Sequence, residues 1–269
     1  MPQAPDNFNL FESLMQIVRS LRGPDGCPWD KEQTHHSLTT YAIEEVYEFV
    51  EAVESGNDAL VKDELGDVLF QVALHAALAE ERNAFKIQDV IANINEKLVR
   101  RHPHVFSNKQ VSGIDEVWKN WEEIKKNEKK NSPKKDNGPF DFPSHLPALQ
   151  RAHKIGVKSQ KLQFDWANSD DVLKKVWEEI NELQAEKAKQ DQAGIEDEFG
   201  DVLFSLAQWA RHQNIDPEQA LRKANRKFET RFNAMMKIVD SEQKNWTELS
   251  DSEKEEFWSK AKKQTAGFL

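Results

Sequence analysis

Only one cysteine, Cys27, occurs in the 269 residues, which excludes an internal disulfide and any thiolate metal cluster within one chain. Its place among glycines and prolines suits a small packing residue. No apolar run reaches the about 18 residues of a membrane span, and the start, Met1-Pro-Gln-Ala-Pro-Asp, lacks the basic and apolar regions of a signal peptide. A cytoplasmic protein is expected. Strand-like alternation and β-branched runs are scarce, which points to an all-α architecture. The glycine-rich phosphate loops GxxxxGK[ST] and GxGxxG are missing, as are HExxH and GxSxG, so nucleotide binding through such a loop is excluded. Basic residues are outnumbered, 37 Lys and Arg against 47 Asp and Glu, for a net charge of −10. A chain of that charge has no broad basic face with which to displace counterions from a nucleic acid.

What is present is helical periodicity and acid. Hydrophobic residues make up 38% and charged residues 31%, and the mean hydropathy is −0.78, which suits solvent-exposed helices around modest cores. Helices are expected over 8–21, 38–54, 59–81 and 87–101, with Ser55-Gly56-Asn57-Asp58 as a stop and turn. Between 125 and 143 the composition turns to Lys, Asn, Ser, Asp, Gly and Pro, a solvated linker between a domain over 1–124 and another over 144–269.

The second domain repeats the first. Glu44, Glu48, Glu64 and Asp67 recur as Glu178, Glu182, Glu198 and Asp201 at one constant displacement, with no gap anywhere in the acidic region. Within it, Gly66-Asp67-Val68-Leu69-Phe70 returns letter for letter as Gly200-Asp201-Val202-Leu203-Phe204. Further along the displacement drifts slightly but the residues persist: Asn95, Lys97 and Arg101 return as Asn225, Lys227 and Arg231, and Trp121 and Lys125 return as Trp258 and Lys262. Two copies of one helical unit follow. A unit of this size completes its bundle by pairing, with the other copy or with a second chain.

The chemistry lies in the acidic positions. In the second copy Glu178, Glu179 and Glu182 precede a break expected near Ala193-Gly194, and Glu198 and Asp201 follow it. Residues three and four apart share a helical face, so these carboxylates project together. Alone, each face reads as a solvated acidic surface. Repeated at one internal spacing, beside a helix-interior glycine that costs about 1 kcal/mol against alanine, the faces read as an oxygen-only site for magnesium or manganese. Gly66 and Gly200 are then expected where a helix approaches closely. Lys227 and Arg231, one turn apart, suit phosphate oxygens, and Asn225 adds a neutral donor. Trp258, with Lys262 one turn on, is read either as core or as a stacking platform. Lys175 and Trp177 border the acidic set. The first copy holds the matching Glu44, Glu45, Glu48, Glu64, Asp67, Lys97 and Arg101. A di-iron carboxylate bundle would need two Glu-x-x-His pairs, and only Glu32-x-x-His35 fits.

These motifs, with Gly26-Cys27-Pro28-Trp29-Asp30, Leu146-Pro147-Ala148-Leu149-Gln150-Arg151-Ala152 and Phe164-Asp165-Trp166, closely resemble the MazG nucleoside triphosphate pyrophosphohydrolases over nearly all the chain. The resemblance implies an all-α homodimer that uses magnesium to hydrolyse nucleoside and deoxynucleoside triphosphates to monophosphate and pyrophosphate. It implies Glu179, Glu182, Glu198 and Asp201 as metal ligands, Glu178 or one of those ligands as proton acceptor, and Lys227, Arg231, Trp258 and Lys262 as substrate contacts. It favours the C-terminal copy as the main catalytic site. The sequence itself does not say so, because nothing visible in it disables the first copy, which is read as binding metal but turning over slowly or shaping a dimer. The rival from another class is a non-catalytic helical adaptor or nucleotide sensor that uses the acidic faces for partner contacts.

Overall fold

The computed structural model describes residues 2–130 and 138–266, and among them there are twelve α-helices, one short 3-10 turn and no strand. Two compact units divide the chain, Met1–Lys134 and Lys135–Leu269. The first contains α1 (Phe11–Arg22), α2 (Pro28–Glu32), α3 (Leu38–Ser55), α4 (Asp58–Glu81), α5 (Ile87–Arg101), α6 (Pro103–Phe106) and α7 (Ile114–Lys130). The second contains α8 (Ala148–Lys161), α9 (Ser169–Lys189), α10 (Gln192–His212), α11 (Pro217–Ser241) and α12 (Asp251–Thr265). Helix α7 thus runs into the stretch expected as linker; of that stretch, residues 131–137 lie outside the described residues. No helix among the described residues is long and apolar enough to cross a membrane.

Each unit is organised on a helical hairpin, α3 with α4 and α9 with α10. The first turns at Gly56, left-handed with φ +69°, after which the Asn57 side chain accepts from the Ala59 N–H. The second turns at the equivalent position, Gln190, also left-handed with φ +58°, and the Asp191 side chain accepts from the Ala193 N–H. The break therefore lies at Gln190-Asp191 and not at Ala193-Gly194, which belong to the first turn of α10. The Asp191 cap satisfies a first-turn amide, and Gln190 bears the roughly 1–2 kcal/mol that a side chain costs in the left-handed region.

Apolar spacing sets what these hairpins bury. In the first unit Met15 and Val18 of α1 pack on Ala73, Leu74, Ala77 and Leu78 of α4, with Leu38 and Ile87 closing the core. Each fully buried leucine or valine there contributes about 1.5–3 kcal/mol relative to exposure. The second unit seats α8 on α10 differently. Gln208 is fully buried and donates to the Ala152 carbonyl at 2.8 Å, and Arg211 donates to Gln208 at 3.0 Å. Arg211 then grips both oxygens of Asp165 at 2.5 and 3.0 Å, with His212 at 3.1 Å from the same carboxylate. Burial works to raise the Asp165 carboxyl, but the hydrogen bonds and positive charge of Arg211 and His212 win and hold it below the ordinary aspartate value. A separate core joins α11 and α12 through Met235, Val239, Phe257 and Ala261.

Gly156 makes this polar packing possible. A Cβ there would stand 1.8 Å from the Gln208 Oε1 and 2.6 Å from the Arg211 Nε. Gly66 and Gly200, by contrast, have nothing within 4 Å of such an atom, so neither marks a close helix approach within its unit, contrary to the expectation from their helix-interior placing. Gly156→Ala is expected to lower the denaturant midpoint of the second unit by the equivalent of about 1–3 kcal/mol. Gly200→Ala is expected to raise it by up to about 1 kcal/mol; equal midpoints for the two variants would contradict this packing.

Candidate metal and phosphate site

The hairpin geometry brings together three carboxylates from two helices. Glu179 and Glu182 of α9 and Glu198 of α10 each place an oxygen within 4.8 Å of the other two. Glu179 is buried, 5% exposed, while Glu182 is exposed and Glu198 half-buried. Asp201, expected as a fourth ligand, is exposed and stands outside the three, one turn along α10 from Glu198. Lys175 is tied to the acidic residues: its Nζ is 2.6 Å from Glu178 and 2.8 Å from Glu179, and these two hydrogen bonds hold its own pKa well above the usual lysine value. Trp177 is 58% exposed beside it.

Crowding shows in the protonation of these acids. A hydrogen bond with Glu179, then burial and the Glu179 charge, push the Glu182 carboxyl above its ordinary value. Burial, then Glu179 and Asp201, push Glu198 the same way. The first unit repeats the arrangement with Glu45, Glu48 and Glu64, also within 4.8 Å of one another. There burial and Asp67 raise Glu45, and burial and Glu48 raise Glu64; Glu64 keeps one buried oxygen with no hydrogen-bond partner, while Glu44 and Asp67 are exposed. Three carboxylate oxygens drawn together against their own repulsion, one of them buried and unpaired in the first unit, fit a hard divalent cation that prefers oxygen.

The basic residues sit on other helices. Asn225, Lys227 and Arg231 lie on α11; the first two are exposed and Arg231 is half-buried. Among the described residues neither Lys227 nor Arg231 forms an ion pair with the acidic set, and the Arg231 Nε is buried without a partner. Trp258 is half-buried and packs against the α11–α12 core, its ring 5.3 Å from that of Phe228; Lys262 is half-buried one turn on. In the first unit Lys97 is half-buried, and Arg101 is held by Glu128 at 2.6 Å, with Arg100 at 2.7 Å from the same carboxylate. The Lys125 Nζ lies 4.9 Å and the Arg101 guanidinium 5.6 Å from the Trp121 ring centre.

Glu128, Gln208 and Arg211 mark differences between the units, and none of them stands out in a motif, whereas their partner Asp165 lies in Phe164-Asp165-Trp166. The signal available in the sequence is departure from the repeat. In the register that aligns Trp121 with Trp258, Glu128 stands opposite Thr265; in the register that aligns the acidic residues, Gln208 and Arg211 stand opposite Leu74 and Ala77.

A duplicated helical hairpin with converging carboxylates defines an all-α, tandem-repeat class. The sequence model of the MazG nucleotide pyrophosphohydrolase domain matches residues 33–106 and again 168–236, so each match spans one carboxylate hairpin. The chain is 46% identical over 253 residues to the nucleoside triphosphate pyrophosphohydrolase/pyrophosphatase MazG of Thermotoga maritima, covering 94% of this chain and 96% of that protein. It is 40% identical over 260 residues to the nucleoside triphosphate pyrophosphohydrolase of Escherichia coli K12, covering 96% and 98%. A solved structure of a mazG-related protein from Thermotoga maritima, 32% identical, covers 43% of this chain and 98% of its own, with a TM-score of 0.38. This chain belongs to the MazG family, and it carries two of the family's domains.

The crowding of the acids has a direct consequence for stability. With chelator present, Glu182→Gln is expected to raise the thermal midpoint, because it removes a charge that the fold holds against repulsion. A fall in midpoint would show that Glu182 is bound into the fold by attraction instead.

Proposed function

We propose that the chain is a magnesium-dependent nucleoside triphosphate pyrophosphohydrolase, acting on nucleoside and deoxynucleoside triphosphates to give the monophosphate and pyrophosphate. The observation that carries this reading is the convergence of Glu179, Glu182 and Glu198 on a hairpin matched by the family. The names borne by the Thermotoga maritima and Escherichia coli relatives support the substrate class. Glu179, Glu182 and Glu198 would hold the cation, and Asp201, one turn along α10, is the fourth residue proposed to do so; manganese suits the same oxygens. When bound, the cation offsets triphosphate charge and makes a neighbouring water easier to deprotonate.

The chain's own residues then do the following. Water attacks the α-phosphorus, a new P–O bond forms, the bond to the α–β bridging oxygen breaks, and pyrophosphate leaves. Glu178 accepts the water's proton; its carboxylate lies beside the three and is oriented by the Lys175 Nζ. Lys227 and Arg231 take the charge that grows on the leaving pyrophosphate, the lysine as a point charge and the arginine through paired N–H donors. Asn225 and Lys262 add donors at the edge, and Trp258 stiffens the α11–α12 wall behind them.

The proposal includes a homodimer, and what each hairpin leaves uncovered supports it. Ile43, Leu65, Leu69 and Val72 are 52, 49, 42 and 42% exposed, and their equivalents in the second copy, Trp177, Phe199, Leu203 and Leu206, are 58, 54, 46 and 38% exposed. The same four positions are apolar and open in both copies, an arrangement suited to self-complementary pairing between chains. Such an enzyme belongs in the cytoplasm, where triphosphates are made.

Incubation of the purified chain with ATP and magnesium should give AMP and pyrophosphate, and Glu179→Ala should reduce the rate by at least about a hundredfold. ADP with orthophosphate would move the cleavage to another bond. Full activity in Glu179→Ala together with its loss in Glu45→Ala would exchange the roles of the copies. Sedimentation should give twice the chain mass, and Leu203→Asp together with Leu69→Asp should return it to one; a wild-type monomer would remove the dimer from the proposal.

A further inference from the structure

The two copies treat the arginine of the basic pair in opposite ways. Arg231 in the second copy makes no ion pair among the described residues, and its Nε is buried without an acceptor. Arg101 in the first copy is held on one edge of its guanidinium: its Nη2 donates to one Glu128 oxygen at 2.6 Å and its Nε reaches the other at 3.4 Å, while Arg100 contributes a further donor at 2.8 Å. The flanking Trp121 is covered as well, by Lys125 and by Arg101 itself. Glu128 lies near the end of α7, and the residue in its place on α12 is Thr265. The Thr265 hydroxyl donates to the Ala261 carbonyl of its own helix at 2.9 Å and offers nothing to Arg231.

A carboxylate gripped by two arginines uses the same N–H fork that a phosphate oxygen would use. We propose that Glu128 is a built-in phosphate mimic that occupies Arg101 and thereby closes the first copy to triphosphates, so that Arg231 of the second copy is the one left to receive them. The inference rests on the reading of Lys97 with Arg101, and Lys227 with Arg231, as phosphate holders. It deepens that reading by naming the residue that decides which copy binds. Hydrogen bonds from Arg101, then Arg100, hold the Glu128 carboxyl at about 2, so the closure persists at every pH at which the protein works. The acidic triad of the first copy is intact, and the lock is therefore on the phosphate side of the site and not on the metal side.

Calorimetric titration of the full chain with inorganic tripolyphosphate and magnesium tests this directly. The wild type should show one site per chain. Glu128→Thr, which installs the residue of the second copy, and the isosteric Glu128→Gln should each reveal a second site. Its affinity should be about 10- to 100-fold above that of the closed site, the size of one or two charge-assisted hydrogen bonds released. Adding Arg101→Ala to Glu128→Thr should remove the new site again. Two equal sites in the wild type, or a single site in both Glu128 variants with circular dichroism unchanged, would overturn the proposal. Retention of the wild-type site after Lys227→Ala with Arg231→Ala would instead overturn the phosphate reading beneath it.

Discussion

Three carboxylates held within 4.8 Å of one another repel, and each unit of this protein is built to bear that repulsion. Two helices must arrive antiparallel and in register for Glu198 to meet Glu179 and Glu182, which fixes the turn between them to one position. Hence the left-handed residue recurs at Gly56 and Gln190 and a side-chain cap recurs at Asn57 and Asp191. Lys175 supplies a nearby positive charge, and it leans on the outer edge of the set, on Glu178 and Glu179. The centre is left negative. A fold that accepts such a charge density would gain from a cation bound there, and the proposed cation would then be linked to folding in the same free energy.

Around that common hairpin the copies have diverged in what supports it. The first copy backs its hairpin with hydrocarbon, Leu74 and Ala77 against Met15 and Val18. The second replaces these with Gln208 and Arg211, satisfied by a carbonyl and by Asp165. A buried network of this kind contributes modest net stability, but it tolerates few rearrangements because any lost partner leaves a desolvated charge. The rigid support thus lies under the copy with the unpaired Arg231, and the interchangeable packing lies under the copy whose arginine is already held.

Much of this is legible in the residues. Helical period, the duplication and the acidic faces follow from spacing alone, since i, i+3 and i+4 fix which side chains share a face whatever the surroundings. The expected ends of 87–101 match α5, and those of 59–81 lie within one residue of α4, because Gly56-Asn57 and Pro103 are local signals. The turn at Gln190 is harder to place, because a cap competes with glycine over a few residues and the winner depends on the partner helix. The roles of Gly66, Gly200 and Gly156 escape the sequence for one reason: a glycine's neighbour is set by tertiary contact, which no local pattern contains. Glu128 is invisible as a motif, since one glutamate among the several acids and lysines of α7 looks like ordinary surface charge until Arg100 and Arg101 are placed on it.

The fit of Gly156 under Gln208 also bears on how a duplicated chain avoids confusing its own halves. The hairpins share the run Gly-Asp-Val-Leu-Phe and turn at the same register, so during folding α10 could dock on α1 as readily as on α8 if backbone shape alone decided. Against α1 it would bury an amide and a guanidinium on Met15 and Val18, with no Asp165 to receive them. The penalty falls on the mispaired arrangement only. The absence of a single methyl at Gly156 thus decides which helix can cover the polar pair of α10.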